Sequence, residues 1–242
     1  MTSLSVVLFC IVVFCAGLVH TMCGFGFGVF VQVFFPYFMP SVVSGVSASV
    51  TMSTVTSSYT AVKAFRKAQY KKLLWPWAAF FVSNTFVVYY VTTQPDDFIG
   101  KLLAVALILL SLYFVFFSNR LKIRATPVTG IIVGLLSGIL SGFFGMGGPP
   151  VALYLLACCD TNDEYLANSL TFMTVTGLYG IVVRALNGLF TWEIVLYCLI
   201  GIVFVLAGSA AGHKLVSKIP AKHVKRLIYA VMALSGVLML VS

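Results

Sequence analysis

The groups in this chain that could handle a solute are backbone amides and hydroxyls, concentrated in two glycine-rich runs and two hydroxyl-bearing helix faces. The runs are GFGFG at Gly24 to Gly28 and SGILSGFFGMGGPP at Ser137 to Pro150. In the second, Gly142, Gly145, Gly147 and Gly148 let the backbone leave helical geometry. Pro149 and Pro150 lack the N–H that would continue a helical ladder, yet suit the first turn of a new helix. The pattern predicts two half-helices meeting at a loop, the second beginning near Pro149. Its N-terminus would present N–H groups and the positive end of a helix dipole, a combination that suits an anion. Gly24, Phe25 and Gly26 in one run, and Gly145, Met146, Gly147 and Gly148 in the other, are the candidate substrate-binding positions.

Hydroxyls form the second pattern. Ser47, Thr51, Thr54 and Ser58 are spaced four, three and four apart, which places them on one face of a helix. Asn168, Thr171 and Thr174 do the same later in the chain. Small polar residues also let membrane helices pack closely and bond to their own backbone, but occurrence in both halves favours a binding role for Thr51, Thr54, Asn168, Thr171 and Thr174. Lys63 and Arg184 end two apolar segments and are candidates for attracting an anion, alongside ordinary anchoring at the membrane surface. Gln32, polar within an apolar run, could face a cavity.

Other chemistries find little support. His20 and Cys23 are one turn apart, too few for a metal site, so neither metal nor cofactor is expected. All six Asp and Glu lie at or near connections between apolar segments, so a carboxylate proton relay or sodium site is not evident. H-E-x-x-H, paired membrane aspartates and G-x-S-x-G are missing, so no enzyme is expected.

The elements that must position these groups follow from hydropathy. Of 242 residues, 61% are hydrophobic and 9% charged, and mean hydropathy is +1.07, as expected for an all-α polytopic protein of the cell membrane. Apolar segments fall at about 4–33, 41–62, 73–93, 98–117, 128–157, 166–187, 192–215 and 222–241. The connections are short, so 1–242 is expected to be one membrane transport domain. Segments one and five are too long for one simple span, and each carries a glycine run. Irregular backbone at bilayer depth survives only beside protein or a water-filled cavity, so each break implies a cavity. The net charge of +9 comes from basic residues gathered between segments, the pattern of a protein partnered by the lipid bilayer rather than by nucleic acid. No Lys or Arg precedes Lys63 and no cleavage site ends a short apolar core, so the N-terminus is expected to be retained. The cysteines at 10, 15, 23, 158, 159 and 198 lie in or beside apolar runs and read as packing residues. No pattern here specifies an oligomeric state.

An internal repeat appears when the glycine runs are overlaid. Gly17, Gly24 and Gly26 correspond to Gly138, Gly145 and Gly147 at a separation of 121. At a separation of 120, SVTMSTVTSSY (Ser49 to Tyr59) overlays SLTFMTVTGLY (Ser169 to Tyr179) with six identities in eleven positions. The expected repeats are 4–117 and 128–242, four segments each. Basic connections follow segments two, four and seven. They share the cytoplasmic side if segment five enters and returns as a hairpin; the same behaviour in segment one would leave each half with three full crossings and invert the halves relative to each other.

The duplicated eight-segment chain, GFGFG early in half one and SGFFGMGGPP opening half two resembles the TauE/SafE family, also called the toluene-sulfonate uptake permeases. The most specific piece is G-x-x-G-M-G-G-P-P from Gly142 to Pro150, followed by Leu153, Tyr154 and Leu155. The resemblance implies transport of small sulfur-containing or organic anions such as sulfite, sulfoacetate or related sulfonates. It departs from regularity in the first half, where no Gly-Pro-Pro follows GFGFG and Pro36 comes later. The expectation is an anion transporter with its site between two broken helices; a small-anion channel is the alternative, and an intramembrane enzyme a weaker one. Export suits a site without carboxylates, because a negative cytoplasm itself expels an anion with about 2.3 kcal/mol per charge per 100 mV.

Overall fold

The computed structural model describes residues 3–62, 65–116 and 126–215. The expected segment at 222–241, Lys63, and most of the basic residues of the fourth and seventh connections lie outside them. The described chain runs α1 (Ser3–Cys23), α2 (Phe27–Val31), a 3-10 turn (Phe35–Tyr37), α3 (Val42–Ala61), a second 3-10 turn (Phe65–Lys67), α4 (Tyr70–Thr92), α5 (Asp96–Phe116), α6 (Pro127–Phe144), α7 (Gly148–Cys158), α8 (Asn162–Leu186) and α9 (Trp192–Leu215). Among the described residues, four helices, α4, α6, α8 and α9, are long and apolar enough to cross a bilayer. The glycine runs divide the first and fifth segments into separate helices.

Helix starts follow their local chemistry. Ser41 accepts from Ser44 N at 3.0 Å, and the Asp96 carboxylate accepts from Val42 N at 3.0 Å and Val43 N at 3.3 Å, placing a negative charge at the N-terminus of α3. Thr126 and Thr129 close a reciprocal capping pair on α6, with Pro127 in the first turn. Thr161 accepts from Glu164 N at the start of α8. Lys72 joins that end to α4, its Nζ 2.7 Å from Glu164 and 2.6 Å from the Cys158 carbonyl.

Glycine stripes set the helix pairing. Gly130, Gly134, Gly138 and Gly142 face α4; a Cβ on Gly134 would overlap Pro76 O, and one on Gly138 would lie 2.7 Å from Phe80 O. On the other side of the molecule, a Cβ on Gly208 would overlap Phe14 O and one on Gly212 would lie 2.8 Å from Leu18 O. Such contact brings backbones together where no hydrophobic driving force exists between helices in lipid. Contacts advance together along α4 and α6, and along α1 and α9, so each pair runs parallel. α3 and α8 meet through Thr54 on Gly177 and Val50 beside Gly180, and run antiparallel. α1 therefore packs on α9, and α6 on α4. Val82, Phe86, Leu109 and Val203 are among the large apolar residues that face outward, as lipid contact requires.

Replacing Gly138 by Val should separate α4 from α6, because the added atoms meet Ser83 and the Phe80 carbonyl. The expected cost is about 1–3 kcal/mol, read as a lower unfolding midpoint in detergent. Gly100→Ala, whose Cβ would meet Val42 at an ordinary 3.7 Å, should leave the midpoint unchanged or raise it.

Candidate functional site

Both glycine runs interrupt helices, and the two interruptions touch. Gly24 and Gly26 take left-handed backbone (φ 73° and 103°) between α1 and α2, and Gly145 does so (φ 68°) at the end of α6. At these positions a side chain would be strained. A Cβ on Gly28 would overlap the Gly145 carbonyl oxygen, and one on Gly148 would lie 3.0 Å from the Phe25 Cβ. Only hydrogen at Gly28 allows this approach.

The backbone freed by each break is held by neighbouring helices. Ser169 on α8 donates to Gly24 O at 3.0 Å, and Ser137 on α6 donates to Gly147 O. Gly145 N returns to Ser141 O at 2.9 Å and Met146 N to Leu140 O at 3.2 Å. Arg184, 1% exposed, reaches from α8 to the last turn of α6, with Nη2 donating to Gly142 O at 2.6 Å and Ser141 O at 3.2 Å. A cation at a helix C-terminus is favoured by the dipole, and the contact fixes the carbonyls where α6 ends.

Beside the junction is a cavity of about 40 Å³, enough for a small solute or more than one water. Gly26, Gly28, Gly145, Met146, Gly147 and Gly148 line it, with Val50 and Ser53 from α3, Phe80 from α4, Ser141 from α6 and Met173, Thr176 and Gly177 from α8. α1 contributes His20, 2% exposed, whose Nε2 is 2.9 Å from Ser57 Oγ. Among the described residues, no acidic side chain lines it. The α7 N-terminus opens on this space; with Pro149 and Pro150 in its first turn, its remaining donors are the Gly147 and Gly148 amides.

The structure thus gathers Gly26, Gly145, Met146, Gly147 and Gly148 at one cavity and holds Gly24 and Phe25 directly behind them. It does not bring the hydroxyl faces there. Thr51, Thr54 and Thr174 donate to their own helices, to Ser47 O, Val50 O and Leu170 O. Asn168 accepts from Gln69 N at 2.7 Å and donates to Cys159 Sγ, bracing the start of α4. Thr171 and Gln32 are buried, with no hydrogen-bond partner among the described residues, and neither lines the cavity. Arg184 grips α6 carbonyls rather than facing the cavity. Spacing along the chain does not single out His20, Ser53, Ser141 or Thr176 as cavity residues, nor Ser137 and Ser169 as donors to the breaks, although Ser169 and Thr176 are repeat identities and carry a signal there. Among the described residues, no three His, Cys, Asp or Glu cluster as metal ligands would.

The profile of a family described as Sulfite exporter TauE/SafE matches residues 9–239, nearly the whole chain. No curated protein and no solved structure matches.

Gly28→Ala should force the two breaks apart, because its methyl group meets a backbone oxygen that has no rotamer by which to yield. Thermal unfolding should show a loss of about 1–3 kcal/mol. Ser53→Ala, which removes only a hydroxyl that donates to Val50 O in its own helix, should stay within about 0.5 kcal/mol of wild type.

Proposed function

The chain belongs to the sulfite exporter TauE/SafE family, and from that premise we propose that it is a secondary carrier of small sulfur oxyanions, sulfite and short sulfonates, with its site at the junction of the two helix breaks. The observation that carries this reading is the contact of Gly28 with the Gly145 carbonyl beside a cavity lined by hydroxyls and glycine backbone. Irregular backbone at bilayer depth is tolerated where it lines such a space, and carriers use half-helix N-termini there to meet anionic groups.

The anion's ligands are the Gly147 and Gly148 amides at the start of α7 and the Ser141 hydroxyl, with the Ser53 and Thr176 hydroxyls, which donate to Val50 O and Phe172 O in this structure, turning to the anion when it binds. Thr51, Thr54, Thr171, Thr174 and Asn168 support this shell from behind, setting how α3 and α8 cross. Arg184 contributes positive potential from the last turn of α6, and the sequence candidate Lys63, outside the described residues, adds its charge to the same attraction. The parallel pairs α1–α9 and α4–α6, with the antiparallel α3–α8 crossing, support two halves of inverted topology, each opening with a broken helix. Alternating access is then a rocking of these halves about the α3–α8 crossing. The membrane potential drives net movement outward from a negative cytoplasm.

Purified protein in liposomes should exchange labelled sulfite or methanesulfonate, with unlabelled anion on the far side stimulating flux. Flux without that stimulation, at far higher unitary rate, would identify a channel, and no flux with any small oxyanion would defeat the proposal. Gly147→Val and Gly148→Val should insert normally and lose exchange at least tenfold, since their side chains crowd Ser137 O and Phe25 at the site.

A further inference from the structure

We propose that His20 is the anion's cationic ligand, an imidazole that takes up a proton as the anion enters the cavity; this rests on the site reading above. The ring lines the cavity and is 2% exposed. Ser57 occupies Nε2 at 2.9 Å, the Phe27 ring stands edge-on at 6.3 Å, and Nδ1 has no hydrogen-bond partner among the described residues. A buried polar atom at a cavity without a partner is one that a ligand can satisfy.

Protonation states explain the preference for an anion. The neutral ring has one N–H, so one of its two nitrogens faces its surroundings as a lone pair. The imidazolium donates from both: Nε2–H to Ser57 Oγ, and Nδ1–H to an oxygen of the bound anion. Proton and anion then stabilise each other, and by linkage each raises the affinity for the other by the same factor. The proton comes from water and returns to it when the anion leaves.

Among the described residues, no other titratable or charged side chain lines the cavity. The helices packed most closely on α1 are α2, α3 and α9. α2 carries no titratable side chain, and α3 carries Tyr59, exposed and ring-to-ring with His213 at 6.3 Å. On α9, Glu193, His213 and Lys214 are exposed at the helix ends, while Tyr197 donates to Phe38 O and Cys198 is buried among apolar residues. Cys10 and Cys15 on α1 itself do not line the cavity, nor does Arg184, held at Ser141 and Gly142.

The test is anion binding by the full-length protein in detergent, read as thermal stabilisation by methanesulfonate and by sulfite between about pH 5 and 8. Methanesulfonate stays ionised throughout, so its profile reports the protein alone. For sulfite, comparison with His20→Gln removes the anion's own titration. Wild type should bind more tightly as pH falls, approaching about tenfold per unit on the alkaline side of the transition. Unbuffered samples should take up close to one proton per methanesulfonate bound above that transition. His20→Gln and His20→Asn should flatten the profile and abolish proton uptake, whatever affinity remains. Binding with a flat profile and no proton uptake in wild type overturns the role of His20 and leaves the carrier reading standing. So does a variant that keeps the wild-type profile. Absence of binding by either anion at every pH defeats both. Should the variants not fold, the wild-type profile and proton uptake decide alone.

Discussion

Backbone polar groups released from a helix inside an apolar medium must be satisfied by the protein, and this constraint governs the rest of the molecule. Each break exposes carbonyls and amides that bulk water does not reach. Ser169 takes Gly24 O, Ser137 takes Gly147 O, and Arg184 takes the carbonyls of Ser141 and Gly142. Two of those donors reach across from α8, which packs on α3 where Thr54 meets Gly177, and the third lies on α6 itself, close to the break it serves. Without these donors the breaks would carry unpaired groups.

The breaks are legible in the sequence because glycine and proline act locally. A residue that must adopt positive φ, or that lacks an N–H, declares itself without knowledge of its neighbours, and Gly24, Gly26 and Gly145 lie where that logic puts them. The Gly17/Gly138 and Ser49/Ser169 correspondences are legible as nearly equal offsets along the chain, 121 and 120. Hydroxyl faces are less informative. Periodicity places Thr51 and Thr54 on a face of α3 but does not say whether a threonine turns outward to a ligand or back to its own carbonyl four residues earlier. In this fold they turn back. Spacing tests His20 only as a metal ligand, a role for which it lacks company. Its partner is Ser57, 37 positions away on another helix, a relation that spacing along one helix does not reveal.

The two breaks are not equivalent, and the difference traces to a few residues. Past GFGFG the chain forms only Phe27–Val31 before a 3-10 turn around Pro36, whereas Gly-Gly-Pro-Pro opens eleven helical residues, Gly148–Cys158. Two prolines at the start preset φ for the longer helix; in the first half no such pair exists. The serines differ too. Ser169 is engaged with Gly24 O, while Ser49, its counterpart by sequence offset, is buried near Gly145 with no hydrogen-bond partner among the described residues. Both breaks line the cavity, and they differ in the serine that serves them.

Arg184 shows how a cation is tolerated at this depth without a carboxylate beside it. Burying an unpaired guanidinium is costly, and the ion pairs among the described residues, Lys67 with Asp163 and Lys72 with Glu164, lie near the start of α8 instead. The last turn of α6 supplies part of what a carboxylate would, two carbonyls on Nη2 and the negative end of a dipole, while Nη1 has no hydrogen-bond partner among the described residues. Because that compensation is partial charge rather than a full negative charge, the neighbourhood keeps a net positive character. An adjacent carboxylate would have cancelled it. A site built from glycine amides and hydroxyls needs such a background, since neutral donors alone do not distinguish an anion from any polar solute. In the carrier proposed above, the guanidinium that closes the end of α6 supplies that background.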